Sequence, residues 1–268
     1  MIVDAHAHIG QLHRLKPLQT QAMILQSMAK YHIDFTLISS GSAEEFSSNG
    51  RLLKTRPSQL TLNQEVIAFV KLHPDRLGAL LWCKPFQETA DSALEKLIKE
   101  NRRLIFGLKF HPFCSQVRAD DPRMEPYYAL ARKYDLPLLF HTAVDRCSGI
   151  RYLENAAKAH PDLTFVAAHM ELLSDNLEAI RVVKENPNIY GDTAWVSPKK
   201  AFLAIQSFGP DKLMFGTDNP IDGLDTLNHP YYKTYRGRYF KRKVGSVAYA
   251  KLMSDNALKV YRLPITHK

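Results

Sequence analysis

Short, β-rich apolar runs recur along the whole chain, each followed by a polar loop and then a stretch of helical length. The runs cover 2–7, 35–39, 77–82, 105–110, 136–140, 163–168, 189–192 and 213–216. Between them, 21–31, 64–72, 90–100, 127–134, 152–159, 177–185 and 199–207 read as amphipathic helices. In 90–100, for example, Ala90, Ala93, Leu94, Leu97 and Ile98 fall on one helical face. Strands that alternate with helices of this length form parallel βαβ units. Eight such units close an α/β barrel, the TIM (β/α)8 fold, which typically takes about 250 residues. An open doubly wound sheet is the runner-up. It is disfavoured because no glycine-rich phosphate turn follows the first strand.

No low-complexity stretch or linker divides the chain, so residues 1–268 read as one domain. Two connections exceed ordinary loop length, 41–61 after the second strand and 220–243 after the eighth. Both leave the strand ends where barrels carry lids and substrate walls. With 45% apolar residues, the chain can bury a core without cross-links. Cys83, Cys114 and Cys147 are odd in number and widely spaced, which suits reduced thiols and a cytoplasmic location. No run reaches the roughly 18 apolar residues of a membrane span, and the polar turn after Met1-Ile2-Val3 is not that of a signal peptide.

The formal net charge is +9, from 36 Lys and Arg against 27 Asp and Glu. Such a surface favours anions. Arg236, Arg238, Lys241, Arg242 and Lys243 are interleaved with Tyr231, Tyr232, Tyr235 and Tyr239, a mixture that can track a nucleic-acid backbone or wall a pocket for a small anion.

The histidines decide the chemistry. His6 and His8 end the first strand, and residues two apart share a face, so both rings can point at one ion. His141 ends the fifth strand, His169 the sixth and Asp218 the eighth. Singly, each reads as a hydrogen-bonded polar residue. Together they gather at the C-terminal mouth of one barrel, where TIM barrels place catalysis, and imply a shared metal site. Imidazoles with a carboxylate leave a position for water, the mark of a catalytic rather than a closed zinc site.

These stretches resemble a known family. Asp4-Ala-His-Ala-His8, Gly107-Leu-Lys-Phe-His-Pro112, Pro137-Leu-Leu-Phe-His-Thr142, Ala167-Ala-His-Met170, Phe215-Gly-Thr-Asp-Asn-Pro220 and Asn256-Ala-Leu-Lys-Val-Tyr261 are similar to the amidohydrolase superfamily. The detail resembles its amidohydrolase-related branch, which includes aminocarboxymuconate-semialdehyde decarboxylase and related lactonases. The resemblance implies that His6, His8, His141 and Asp218 hold one divalent metal, with His169 as an acid/base or hydrogen-bonding residue beside the metal water and Asp218 as both ligand and proton acceptor. Zinc is expected, with Mn2+, Fe2+ or Co2+ as substitutes. Where the family commonly has glycine, Glu171 stands.

On the fourth strand Lys109 and His111 share a face. Elsewhere in the superfamily a carboxylated lysine there bridges two metals; in this branch one metal is usual. Lys109 and His111, with Arg146 on the fifth loop, are therefore expected to meet substrate anions, although Lys109 can equally neutralise Asp4 or Asp218 as a buried pair. TatD-type nucleases also open with HxH but use a fourth-strand glutamate that Gly-Leu-Lys-Phe-His lacks. The resulting expectation is a hydrolase that cleaves a C–N or C–O bond of a small anionic substrate through a metal-activated water. Non-oxidative decarboxylation is the alternative from the same family. No specific nucleic acid and no membrane partner is expected, and a homodimer is left open.

Overall fold

The computed structural model describes residues 1–11, 19–47, 49–54, 56–221 and 224–265. Residues 48 and 55 of the first long connection and 222–223 of the second lie outside the described residues. Eight strands run β1 Val3–Ile9, β2 Phe35–Ser40, β3 Leu77–Trp82, β4 Ile105–Phe110, β5 Leu138–Ala143, β6 Phe165–Leu172, β7 Ile189–Asp192 and β8 Leu213–Met214. All neighbours pair in parallel, in the order β1 to β8. The last strand meets the first: Ala5 N donates to Phe215 O at 2.9 Å, Asp218 N to His6 O at 2.7 Å and His8 N to Asn219 O at 2.9 Å. The eight-stranded TIM barrel expected from the alternation is the observed fold.

The helices between strands are α1 Gln21–Tyr31, α2 Gln59–Leu72, α3 Ser92–Glu100, the short α4 Pro112–Ser115, α5 Glu125–Tyr134, α6 Ile150–Ala159, α7 Leu177–Glu185 and α8 Pro198–Phe208. Serine, threonine or aspartate caps several of them by accepting a first-turn N–H. Thr20 does so for α1, Ser58 for α2, Asp91 for α3 and Ser197 for α8, satisfying donors that a helix start leaves open. Beyond β8 come α9 Pro230–Tyr235, α10 Arg238–Val244, α11 Ser246–Ala250 and α12 Asn256–Tyr261. The connection read as a long loop therefore carries helices.

Two one-residue register shifts aim the site. Between β1 and β2 the pairing shifts from Asp4↔Thr36 to Ala7↔Ile38. Between β3 and β4 it shifts from Ala79↔Ile105 to Leu80↔Gly107. Strand side chains alternate faces, so an inserted residue flips the pattern. Val3 and Ala5 can thus fill the barrel interior with Phe35, Leu37, Leu80, Phe106, Leu139, Val166 and Met214, while His6 and His8 still turn inward above them. Phe106 below and Lys109 above are related in the same way. At the other end of the barrel, Ala257, Val260, Tyr261 and Leu263 of the α12 region join this interior cluster.

Candidate metal centre at the barrel mouth

The rings of His6 and His8 are held from behind. His6 Nδ1 donates to Asp192 Oδ2 at 2.8 Å, and Ser39 Oγ lies 2.9 Å from His8 Nδ1. Their other nitrogens then face each other, Nε2 to Nε2, at 3.1 Å. Asp218 Oδ1 closes the triangle, 3.0 Å from His8 Nε2 and 3.5 Å from His6 Nε2. Ligand atoms about 2.0–2.1 Å from a tetrahedral zinc stand roughly 3.3–3.4 Å apart, so these three edges match a shared ion. His169 joins from β6: ligand atoms of His6, His169 and Asp218 all lie within 4.8 Å of one another. The His169 Nδ1 side is anchored 3.2 Å from Ala194 O.

His141 takes a different place. Its ring stacks on His111 at 3.8 Å between centroids and meets His169 edge-on at 4.8 Å. Trp82 also stacks on His111, at 5.4 Å. Trp82, His111 and His141 thus form a run of near-parallel rings beside the donors. All the named donors are buried, and so is Lys109, at 0% exposure. Its Nζ donates to His6 Nε2 at 3.0 Å, so its ammonium competes with a metal for one lone pair. Arg146, by contrast, lies on the β5 loop, at the rim rather than among the donors. The expected substrate trio is therefore split between the heart of the site, the ring stack and the rim.

Burial sets the charges. It pushes His6 well below its ordinary pKa, reinforced by the Lys109 charge, and lowers His169 against the pull of Asp218 and Asp192. Both rings are neutral, as ligands or bases require. Lys109 is brought down to about 8 by the same desolvation, opposed by Asp218 and Asp192. Burial raises Asp218, but the His8 bond and the surrounding rings outweigh it and keep the carboxylate ionised. The donor set fits a divalent ion: neutral imidazoles, one anionic oxygen and outer nitrogens fixed in direction.

The residues that hold these donors were not singled out in the sequence. Asp192 also accepts from the backbone N–H groups of His169 and Ala194. Trp195 Nε1 donates to Asp218 Oδ2 at 3.0 Å. The stretch Asp192-Thr-Ala-Trp195 at the end of β7 therefore reaches His6, His169 and Asp218. The available signal was an aspartate at the end of a strand-like run, at the same mouth as the histidines.

Glu171 shows why its position usually suits glycine. His169, Met170 and Glu171 have φ of +67°, +44° and +67°, a region that costs non-glycine residues roughly 1–3 kcal/mol each. Glu171 gives something back: its Oε1 accepts from Ile150 N at 3.1 Å, at the start of a helix whose cap residue Gly149 offers no side chain.

The basic, tyrosine-rich segment is in part built into the fold. Tyr232 and Tyr235 are fully buried, and Tyr239 is the largely exposed member of the group. Arg236 donates to Tyr232 O and Leu227 O and lies over Tyr31, which ties the segment to α1.

A closed parallel barrel with histidines and an aspartate converging at its C-terminal mouth defines a class of enzyme. The chain belongs to the amidohydrolase family, whose pattern matches residues 3–263. In fold it is similar to 5-carboxyvanillate decarboxylase from Sphingomonas paucimobilis, with 16% identity over 98% of this chain and 99% of that one and a TM-score of 0.66. It is similar to 2,6-dihydroxybenzoate decarboxylase from Rhizobium, with 14% identity over 98% of each chain and a TM-score of 0.69. It is also similar to a probable 2-pyrone-4,6-dicarboxylic acid hydrolase from Acinetobacter baumannii, with 12% identity over 97% and 99% and a TM-score of 0.64. No curated protein matches the chain in sequence. Among the described residues no helix is long and apolar enough to cross a membrane.

Proposed function

We propose that this barrel is a metal-dependent hydrolase that cleaves a C–N or C–O bond of a small anionic substrate. The observation that carries the reading is the triangle of His6 Nε2, His8 Nε2 and Asp218 Oδ1, with edges of 3.0–3.5 Å. When bound, a divalent ion such as zinc would lower the pKa of a water toward about 7 and polarise a carbonyl. His6, His8 and Asp218 would hold it, with His141 as the further ligand that the family resemblance implies. His169, neutral and anchored by Ala194, can take and return a proton at its Nε2. Lys109 supplies positive charge next to the donors, and Arg146 at the rim can meet a carboxylate. The Trp82–His111–His141 stack offers a flat surface for a planar substrate.

That flat wall favours one second reading, non-oxidative decarboxylation of a planar carboxylic acid, the activity named for two of the similar structures. The metal-loaded enzyme should be offered lactones and amides beside aromatic and unsaturated carboxylic acids, with ring opening or amine release and CO2 followed in parallel. Hydrolysis without CO2 supports the proposal; CO2 release alone replaces it with the second reading. Either activity should vanish in Asp218→Ala. Metal-dependent cleavage of single-stranded DNA, lost in Asp218→Ala, would instead point to a nuclease.

A further inference from the structure

We propose that Trp195 is a positioning residue that gives the two oxygens of Asp218 different roles, leaving Oδ1 to the cation and holding Oδ2 turned away from it. The inference rests on the reading of His6, His8 and Asp218 as a metal centre. Oδ1 faces both Nε2 atoms, at 3.0 and 3.5 Å. Oδ2 instead accepts from Trp195 Nε1 at 3.0 Å. An indole N–H is a donor only, so it cannot take a proton from the carboxylate and it anchors Oδ2 by accepting nothing in return.

The indole is held rigidly enough to impose this. Trp195 N donates to Tyr232 Oη at 2.8 Å, and Tyr235 Oη donates to Val196 O at 3.0 Å. Both phenols come from α9 and are fully buried. His229 and Tyr232 meet the indole edge-on, at 5.3 and 6.3 Å between centroids. Trp195 has φ +59°, a conformation that a bulky residue keeps only where its surroundings over-determine it. The buried aromatic segment after β8 thereby acquires a purpose. It fixes the β7 end, and the β7 end fixes Asp218.

The carboxylate would then hold a cation through Oδ1 alone.

The experiment compares wild type with Trp195→Phe, which keeps an aromatic ring and removes the donor. Both proteins are stripped with a chelator. Zinc affinity is measured by competition with a chromophoric chelator, and the visible spectrum is recorded after loading Co2+. Zinc affinity should fall about 10–100-fold, the usual effect of losing a residue that orients a ligand. The Co2+ band should weaken as the freed Oδ2 turns to the metal and raises the coordination number. A Trp195→Phe protein that matches wild type in both affinity and spectrum overturns the proposal. Should Trp195→Phe not fold, 15N-labelled Trp82→Phe protein retains Trp195 as the sole source of an indole signal, because the chain has two tryptophans. That N–H should exchange slowly and shift when zinc binds; a rapidly exchanging, unshifted signal overturns the proposal. Wild type that takes up neither zinc nor cobalt overturns the metal-centre reading itself, an outcome distinct from the others.

Discussion

Asp192 shows how much a residue can do without facing the substrate. Its two oxygens accept from His6 Nδ1, His169 N and Ala194 N, and burial raises its pKa against the pull of His169. Asp192→Asn keeps the shape and removes the charge behind His6. Zinc affinity should drop about 10–100-fold, as measured by chelator competition. Asp192→Ala removes the acceptor of three donors and should also destabilise the fold by about 1–3 kcal/mol or more, readable in urea unfolding. For the two neighbouring rings the expected outcomes diverge. His141→Ala should lose most of its metal, whereas His169→Ala should keep it and lose turnover; elemental analysis beside an activity assay checks this, and an empty His169→Ala protein would make His169 a ligand. At this scale the sequence exposed the donors, because polar residues at the ends of apolar runs stand out. Asp192 ends such a run too, but nothing in the sequence says which ring it holds; Ser39 and Trp195 stayed hidden, because a residue that holds another from behind has no spacing rule to betray it.

Among the elements, the loop after β2 is tied to the loop after β3 by Glu45, whose carboxylate accepts from Gln87 N at 2.5 Å and Phe86 N at 3.3 Å. Desolvation raises its pKa to about 8, against those two bonds. A carboxyl raised in the fold contributes stability that is complete below its unfolded value near 4.5 and is lost as pH climbs through about 8. Glu45→Gln removes that titration, so the variant should gain on wild type, by on the order of a few kcal/mol, between about pH 5 and pH 8.5 in urea unfolding. An unchanged difference across that range contradicts the account. In the segment after β8, Tyr232→Phe should cost about 1–3 kcal/mol, because it leaves the Trp195 N–H without its acceptor. A surface tyrosine serving only as a stacking platform would cost far less. The mixed tyrosines and arginines offered no clue to this, since α9 and α10 are short and their periodicity too brief to read. The strands were legible because apolar runs announce themselves. Their bulges were not, because one inserted residue leaves the composition unchanged while it turns His6 and Lys109 into the barrel.

For the whole molecule, the alternation of eight runs with helices left few alternatives to a closed parallel barrel, and the closure is visible in the bonds from β1 to residues 215–219. The same topology brings residues from β1, β5, β6 and β8 to one mouth, which is why scattered histidines could be read as one site. Which of them ligate could not be read, because it depends on what holds each ring. The claim that the barrel is built around one cation is tested most directly by counting metal. Protein stripped with a chelator, reloaded with zinc and freed of excess should hold about one equivalent per chain, and His6→Ala and Asp218→Ala should hold almost none. Wild type that remains empty after reloading, or either variant that retains a full equivalent, would contradict the account.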